Sequence, residues 1–213
     1  MKTILFDMDG TLLDTEKLYQ KAWRMAAKDC GYEMNEEDSL TLRSLGKPYN
    51  VARIKELFGG DADYERIRNR RMEIMNPWIE KDGIPLKPQV HETLQELKKR
   101  GYRIAIVTAT GMDRTEGYLK QVQMYDYFDK IVCVAMVERG KPAPDVYLYA
   151  CEQMNVRPEE TFAVEDSPNG VHSAASAGCR VIMIPDLTEP DEETRSLLYR
   201  KVKCLGELLE VLE

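Results

Sequence analysis

The chain predicts an α/β fold, a doubly wound parallel sheet carrying an inserted α-helical cap domain, and three observations predict it. Four short runs rich in apolar and β-branched residues each end in polar residues, the pattern of buried parallel strands. Beyond residue 85 these runs alternate with helical stretches, as a βαβ chain requires. Between the first run and the second lie roughly seventy residues whose apolar spacing is helical throughout.

The first run, Thr3-Ile4-Leu5-Phe6, leads straight into Asp7-Met8-Asp9-Gly10-Thr11. Side chains at i and i+2 of a strand share a face, so Asp7 and Asp9 leave the strand end together, and Gly10 lets the backbone turn beside them. Two like charges held so close need a metal ion or a shared proton.

The helical stretch runs from Thr15 to Lys81. Leu18, Ala22, Met25 and Ala26, with Trp23 beside them, form one apolar face; Ile54, Leu57 and Phe58 form a second; Tyr64, Ile67, Ile74, Met75 and Trp78 form a third. Gly59-Gly60 separates helices, and Pro77 is expected to end or kink the last one. Leu13-Asp14-Thr15 and Lys81-Asp82-Gly83-Ile84-Pro85 flank the stretch as paired hinges. The division is therefore a core of residues 1–14 and 83–213 and a cap of residues 15–82. Within the cap, Arg43 and Lys47 are four apart and could share a helical face turned to an anion. The cluster Arg66, Arg68, Arg70 and Arg71 reads as a solvated face.

After Pro85 come a helix over 88–100 stopped by Gly101, a strand over 103–107 ending at Thr108-Ala109-Thr110-Gly111, and a helix over 113–123. Ile131-Val132-Cys133-Val134 then leads towards Lys141-Pro142-Ala143-Pro144, and Thr161-Phe162-Ala163-Val164 ends at Glu165-Asp166. Ser167-Pro168 reads as an N-cap followed by proline at the first helical position, and Gly178 as the left-handed stop of that helix. The tail from Glu192 to Glu213 reads as helix interrupted near Gly206. Strand ends of one polarity gather at one edge of an open parallel sheet, so Asp7, Asp9, Thr108, Lys141, Glu165 and Asp166 are expected to meet there.

Composition narrows the function. With 213 residues, 43% of them hydrophobic, the chain can bury a substantial core, and no apolar stretch approaches a membrane span. The start lacks the apolar core of a signal peptide, so the expected location is the cytoplasm. A net charge of −7 argues against a nucleic-acid partner, and an anionic substrate would need a bound cation and a few placed basic residues. Cys30, Cys133, Cys151, Cys179 and Cys204 form no C-x-x-C pair and read as reduced structural thiols. His91 and His172 lack a metal-ligand companion at suitable spacing. A monomer without a membrane partner is expected.

Through Asp7-Met8-Asp9-Gly10-Thr11, Thr108, Gly140-Lys141-Pro142-Ala143-Pro144-Asp145 and Glu165-Asp166-Ser167-Pro168-Asn169-Gly170, the chain resembles the haloacid dehalogenase superfamily. The likeness is to its phosphatase and β-phosphoglucomutase branch, with a small helical cap on a Rossmann-like core, and it covers nearly the whole chain. An isolated Asp-x-Asp is a weak signal; four elements in the family's order are a strong one. The resemblance implies a Mg²⁺-dependent phosphatase acting on a small phosphorylated metabolite, a sugar phosphate or a nucleotide. Asp7 would be the nucleophile that becomes an aspartyl-phosphate, and Asp9 the general acid and base. Asp7, the Asp9 carbonyl and Asp166 would hold Mg²⁺, with Glu165 supporting them from behind. Gly10, the Thr108 hydroxyl, the Ala109 amide and Lys141 would hold phosphate oxygens. Glu16, Tyr19, Arg43, Gly46, Lys47 and Tyr49 are the cap residues placed to read the substrate.

Asp9 and Asp166 argue against the metal-free dehalogenases of the superfamily. The mutase branch typically carries a histidine in the first cap helix where this chain has Tyr19, which favours hydrolysis. A hexose-phosphate mutase and a ligand-binding protein that keeps the fold without the reaction are the alternatives.

Overall fold

The computed structural model describes residues 2–212; Met1, in the predicted core, and Glu213, at the end of the predicted tail helix, lie outside the described residues. Six strands form one parallel sheet: β1 (Thr3–Phe6), β2 (Arg103–Thr108), β3 (Lys130–Cys133), β4 (Thr161–Glu165), β5 (Arg180–Met183) and β6 (Leu198–Lys201), in the spatial order β3-β2-β1-β4-β5-β6. β1 is central, with Thr3 paired to Arg103 on one side and Thr161 on the other. The strand order reverses at β1, which is where an open α/β sheet leaves a crevice.

The sheet is buried on both faces, and side-chain alternation divides its core in two. Ile4, Phe6, Ile104, Ile106, Val164 and Ile182 face one layer, with Leu94 and Leu97 of α5 (Val90–Lys99) and Leu208 of α10 (Leu208–Val211). Leu5, Ala105, Val107, Ala163, Val181 and Met183 face the other. That second layer is closed by α7 (Asp145–Met154) and α8 (Pro168–Ser176) through Val146, Tyr147, Ala150, Val171 and Ala174. Ser167 accepts the Gly170 amide at 3.3 Å as N-cap of α8, and Gly178 sits at φ 90° as its left-handed stop.

Between β1 and β2 the cap contains α1 (Glu16–Asp29), α2 (Glu36–Leu40), α3 (Tyr49–Phe58) and α4 (Tyr64–Asp82). α1 lies along α4, burying Ala22, Trp23, Ala26 and Ala27 with Ile67, Met75 and Ile79 in the same apolar cluster as the first sheet layer. The two connections run side by side: the Asp14 amide donates to the Pro85 carbonyl at 2.8 Å, and the Lys87 amide to the Leu12 carbonyl at 2.9 Å. Lys87 also bridges Asp14 at 2.9 Å and Asp186 at 2.6 Å.

Three sequence expectations need correction. Of the two outcomes expected at Pro77, the helix end does not occur: α4 continues to Asp82, with Met75 and Ile79 buried on either side of the proline. The tail is not a helix interrupted near Gly206, because Leu198–Lys201 is the edge strand β6, between α9 (Glu192–Ser196) and α10. Arg43 and Lys47 share no helical face, since both fall in the turns joining α2 to α3. All five cysteines are free thiols, and Cys133, Cys151 and Cys179 are buried. Among the described residues, no helix is long and apolar enough to cross a membrane.

Candidate active site

Asp7 stands at the C-terminal end of β1, only 2% exposed, and its amide donates to the Val164 carbonyl at 2.9 Å. The fully buried Lys141 ammonium lies against it. It donates to Asp7 Oδ1 at 2.6 Å, to Glu165 Oε1 at 2.6 Å and to the Val107 carbonyl at 3.0 Å. The Tyr147 hydroxyl donates to the same Glu165 oxygen at 2.5 Å. One ammonium thus balances carboxylates from two neighbouring strand ends, the condition on which buried charge is tolerated. Burial pushes the Asp7 carboxyl well above the usual carboxylate range, against the pull of Lys141. Burial works against the Lys141 ammonium too, but Asp7 and Glu165 outweigh it and hold the lysine protonated.

Asp9 is held differently. Its Oδ1 accepts from the Thr15 hydroxyl at 2.6 Å and its Oδ2 from the Thr110 hydroxyl at 2.8 Å. Thr15 occupies the N-cap position of α1 without capping it, its hydroxyl being spent on Asp9. Burial raises the Asp9 carboxyl, against the two hydroxyl bonds that favour its anion. Thr108 Oγ1 accepts the Thr110 amide at 3.0 Å and so shapes the turn from β2 into α6 (Met112–Gln121).

Asp166 follows β4 and is fully buried. Arg43, reaching from the cap, donates closely to Asp166 Oδ2, to the Asp166 carbonyl at 3.2 Å and to Thr188 Oγ1 at 2.9 Å, with Glu16 at 3.9 Å. Asp166 Oδ1, Asp7 Oδ2 and Glu165 Oε2 are buried without a hydrogen-bond partner. Asp7, Glu165 and Asp166 each offer a ligand atom, and these lie within 4.8 Å of one another. Unpartnered buried carboxylate oxygens are costly, and an all-oxygen set of this kind suits a hard divalent cation. Gly10 is required beside it: at φ 87°, a Cβ there would come within 2.3 Å of Asp166 Oδ2.

Above these residues a cavity of about 380 Å³ opens between sheet edge and cap. Asp7, Asp9, Thr108 and Ala109 line it from the core, and Glu16, Tyr19 and Arg43 from the cap. Lys141, bonded to Asp7, and Gly10, packed against Asp166, stand outside the lining. Two expected cap residues stand elsewhere. Lys47 is well exposed and paired to Glu65 at 2.5 Å, and Tyr49 opens α3 outside the lining. Gly46 serves through its backbone, its amide donating to the Lys141 carbonyl at 3.0 Å, while the Gly140 amide donates to the Lys47 carbonyl at 2.7 Å.

Sequence reasoning missed Arg71, Arg114 and Thr110. Arg71 is not part of a solvated face: its guanidinium stacks 4.8 Å from the Tyr19 ring and 4.5 Å from the Trp23 ring in the cavity wall. The signal was available, because Arg71 lies four residues from Ile67 and four from Met75, both buried on α4. His91 and His172 line no part of the cavity.

Residues 4–184 match the family model described as haloacid dehalogenase-like hydrolase. The chain is 31% identical over 205 residues to the protein CbbY of Cereibacter sphaeroides, covering 91% of this chain and 88% of that one. It is also 31% identical over 186 residues to a phosphorylated carbohydrates phosphatase of Thermotoga maritima, covering 84% and 82%. The crystal structure of CbbY from Rhodobacter sphaeroides in complex with phosphate superposes with a TM-score of 0.80 at 29% identity, over 98% of this chain and 96% of that one. Sequence match and backbone agree over core and cap alike, and this chain belongs to the haloacid dehalogenase-like hydrolase family.

Proposed function

We propose that this protein is a Mg²⁺-dependent phosphatase that hydrolyses a small phosphorylated metabolite, a sugar phosphate or a nucleotide, through an aspartyl-phosphate on Asp7. The observation that carries this reading is the different treatment of two carboxylates two residues apart. Asp7 is charge-balanced from below by Lys141, whereas Asp9 is held in the cavity wall by two hydroxyls. That division suits a nucleophile and a proton carrier.

Asp7 attacks phosphorus while the bond from phosphorus to the leaving oxygen breaks, and protonated Asp9 gives that oxygen its proton. A water then attacks the phosphoenzyme, Asp9 takes the water's proton, and the bond between Asp7 and phosphorus breaks to release inorganic phosphate. The raised affinity of Asp9 for its proton supports the first role, and the hydroxyls that stabilise its anion support the second. Lys141 fixes the Asp7 carboxylate and offsets charge, and the Thr108 hydroxyl and Ala109 amide are placed to hold phosphate oxygens. Asp7, Asp166 and the Asp9 carbonyl, with Glu165 behind them, would hold Mg²⁺, which would supply positive charge against the phosphoryl oxygens. The cap of residues 15–82 excludes water and reads the substrate.

Hydrolysis is favoured over mutation of a hexose phosphate by Tyr19. It is buried beneath Arg71, and burial followed by the neighbouring Asp9 carboxylate holds its hydroxyl far above the usual range, unsuited to proton transfer near neutrality. The names of the relatives, a phosphorylated carbohydrates phosphatase among them, support a small phosphorylated substrate. We further read the protein as a cytoplasmic monomer without nucleic-acid or membrane partners.

Purified protein incubated with sugar phosphates and nucleotides tests the reading. Phosphate release should require Mg²⁺ and fall roughly a thousandfold or more in Asp7→Asn, with folding intact by circular dichroism. A fully active Asp7→Asn protein would sink it, and isomerised sugar without phosphate would mean a mutase.

A further inference from the structure

Each carboxylate of the acidic trio is anchored through one oxygen and free through the other. Lys141 holds Asp7 Oδ1, Lys141 and the Tyr147 hydroxyl hold Glu165 Oε1, and Arg43 holds Asp166 Oδ2. Asp7 Oδ2, Glu165 Oε2 and Asp166 Oδ1 have no hydrogen-bond partner. The two oxygens of a carboxylate share one rigid plane, so gripping one fixes where the other points. Lys141 belongs to the core and serves two of these groups. The cation on the third comes from the cap.

Arg43 is pinned on several sides. Besides Asp166 Oδ2, its Nη2 reaches the Asp166 carbonyl at 3.2 Å, its Nη1 donates to Thr188 Oγ1 at 2.9 Å, and Glu16 lies 3.9 Å from its Nε. Its own carbonyl accepts from Asn169 of α8 at 2.9 Å. A planar guanidinium held at both amino groups cannot tilt without breaking one of these bonds. Asp166 Oδ2 also abuts Gly10, where a Cβ would come within 2.3 Å of it. Oδ2 is thus closed in by guanidinium and backbone, and Oδ1 is the oxygen left for a ligand. Carboxylates from Asp7, Glu16, Glu165 and Asp166 outnumber the cations Lys141 and Arg43 around this point, so a divalent cation can join the cluster without expelling the guanidinium.

We propose that Arg43 is a positioning residue for the divalent cation: by gripping Asp166 Oδ2 from the cap it presents Asp166 Oδ1 as a ligand, so that cation binding and seating of the cap strengthen each other. This deepens the phosphatase reading and rests on it for the cation. When the cap lifts, Asp166 loses its guanidinium and its plane is no longer fixed, so the trio holds a cation less well. Coupling of this kind is reciprocal, and a bound cation therefore holds the cap down. The cap segment concerned also joins the other side of the site, since the Gly46 amide donates to the Lys141 carbonyl at 3.0 Å.

Mg²⁺ titrated into the substrate-free protein by isothermal titration calorimetry, with hydrogen exchange followed in the presence and absence of Mg²⁺, tests this without turnover. Arg43→Met, folded by circular dichroism, should bind Mg²⁺ about tenfold or more weakly, and Arg43→Lys, which keeps the charge without the fork, should recover part of that loss. In the wild-type protein, saturating Mg²⁺ should slow exchange of amides in residues 36–58 about tenfold, and in Arg43→Met it should leave them unchanged. If Arg43→Met does not fold, Arg43→Lys and the wild-type exchange still decide. Equal Mg²⁺ affinity in the wild-type and Arg43→Met proteins, tighter binding by Arg43→Met as competition for Asp166 would give, or wild-type exchange indifferent to Mg²⁺ would overturn the proposal while leaving the phosphatase reading intact. Absence of Mg²⁺ binding by the wild-type protein would overturn it together with the metal dependence of that reading, and Asp7-dependent phosphate release judges the reaction separately.

Discussion

Lys141 shows how much one buried side chain can control. Among the described residues it is the one cation bonded to Asp7 and Glu165, so Lys141→Met would leave two buried carboxylates facing each other. Removing one partner of a buried ion pair costs about 3–5 kcal/mol, and urea unfolding should register a loss of that order together with loss of turnover. Asp166 gives a pH signature. Burial pushes its carboxyl up to about 6, opposed by Arg43 and reinforced by Glu165. A carboxyl that holds its proton more tightly in the fold stabilises it fully below the ordinary value of 3.8, and the contribution is lost as pH rises through about 6. In EDTA, the urea midpoint should therefore fall between about pH 4 and pH 7 through this group, and Asp166→Asn should flatten that fall. At this scale the sequence was most readable where several residues act within one short segment. Asp7, Asp9 and Asp166 sit at strand ends that apolar runs announce, whereas Arg114 is one polar residue on an amphipathic helix, with nothing local to distinguish it.

Elements were legible in proportion to their burial. β1, β2 and β4 are apolar because helices cover both faces, and their runs could be read directly. β6 is Leu-Tyr-Arg-Lys at the sheet edge, mostly exposed, with neither an apolar run nor strict alternation, so its neighbours made it look helical. The tail nevertheless matters. The Tyr102 hydroxyl donates to the Leu212 carbonyl at 2.7 Å, and Leu205, Leu208 and Leu212 are buried against the layer containing Leu94 and Leu97. Deleting residues 192–213 should expose that layer, remove several kcal/mol of apolar burial and yield protein that aggregates or binds a hydrophobic dye, as light scattering and fluorescence would show.

Across the whole molecule, cap and core meet at the site itself. Arg43 crosses to Asp166 and Thr188, and the Asn169 side-chain amide donates to the Arg43 carbonyl at 2.9 Å. Arg43→Ala should loosen this clasp, so that amides of residues 36–58 exchange faster by at least about tenfold while those of β1 and β4 keep their protection; hydrogen exchange with mass spectrometry would read both.

The contact between the cap and the loop bearing Lys141 has a different character. Gly46 and Gly140 approach so closely that a Cβ on either would lie 2.5 Å from the other's Cα, and the hydrogen bonds there run from main chain to main chain. Such a seam is indifferent to nearly every side chain around it. Cap residues facing the cavity can therefore be exchanged, by evolution or in the laboratory, without redrawing the loop that bears Lys141, and on the proposed function this would uncouple inheritance of the reaction from the choice of molecule it acts upon.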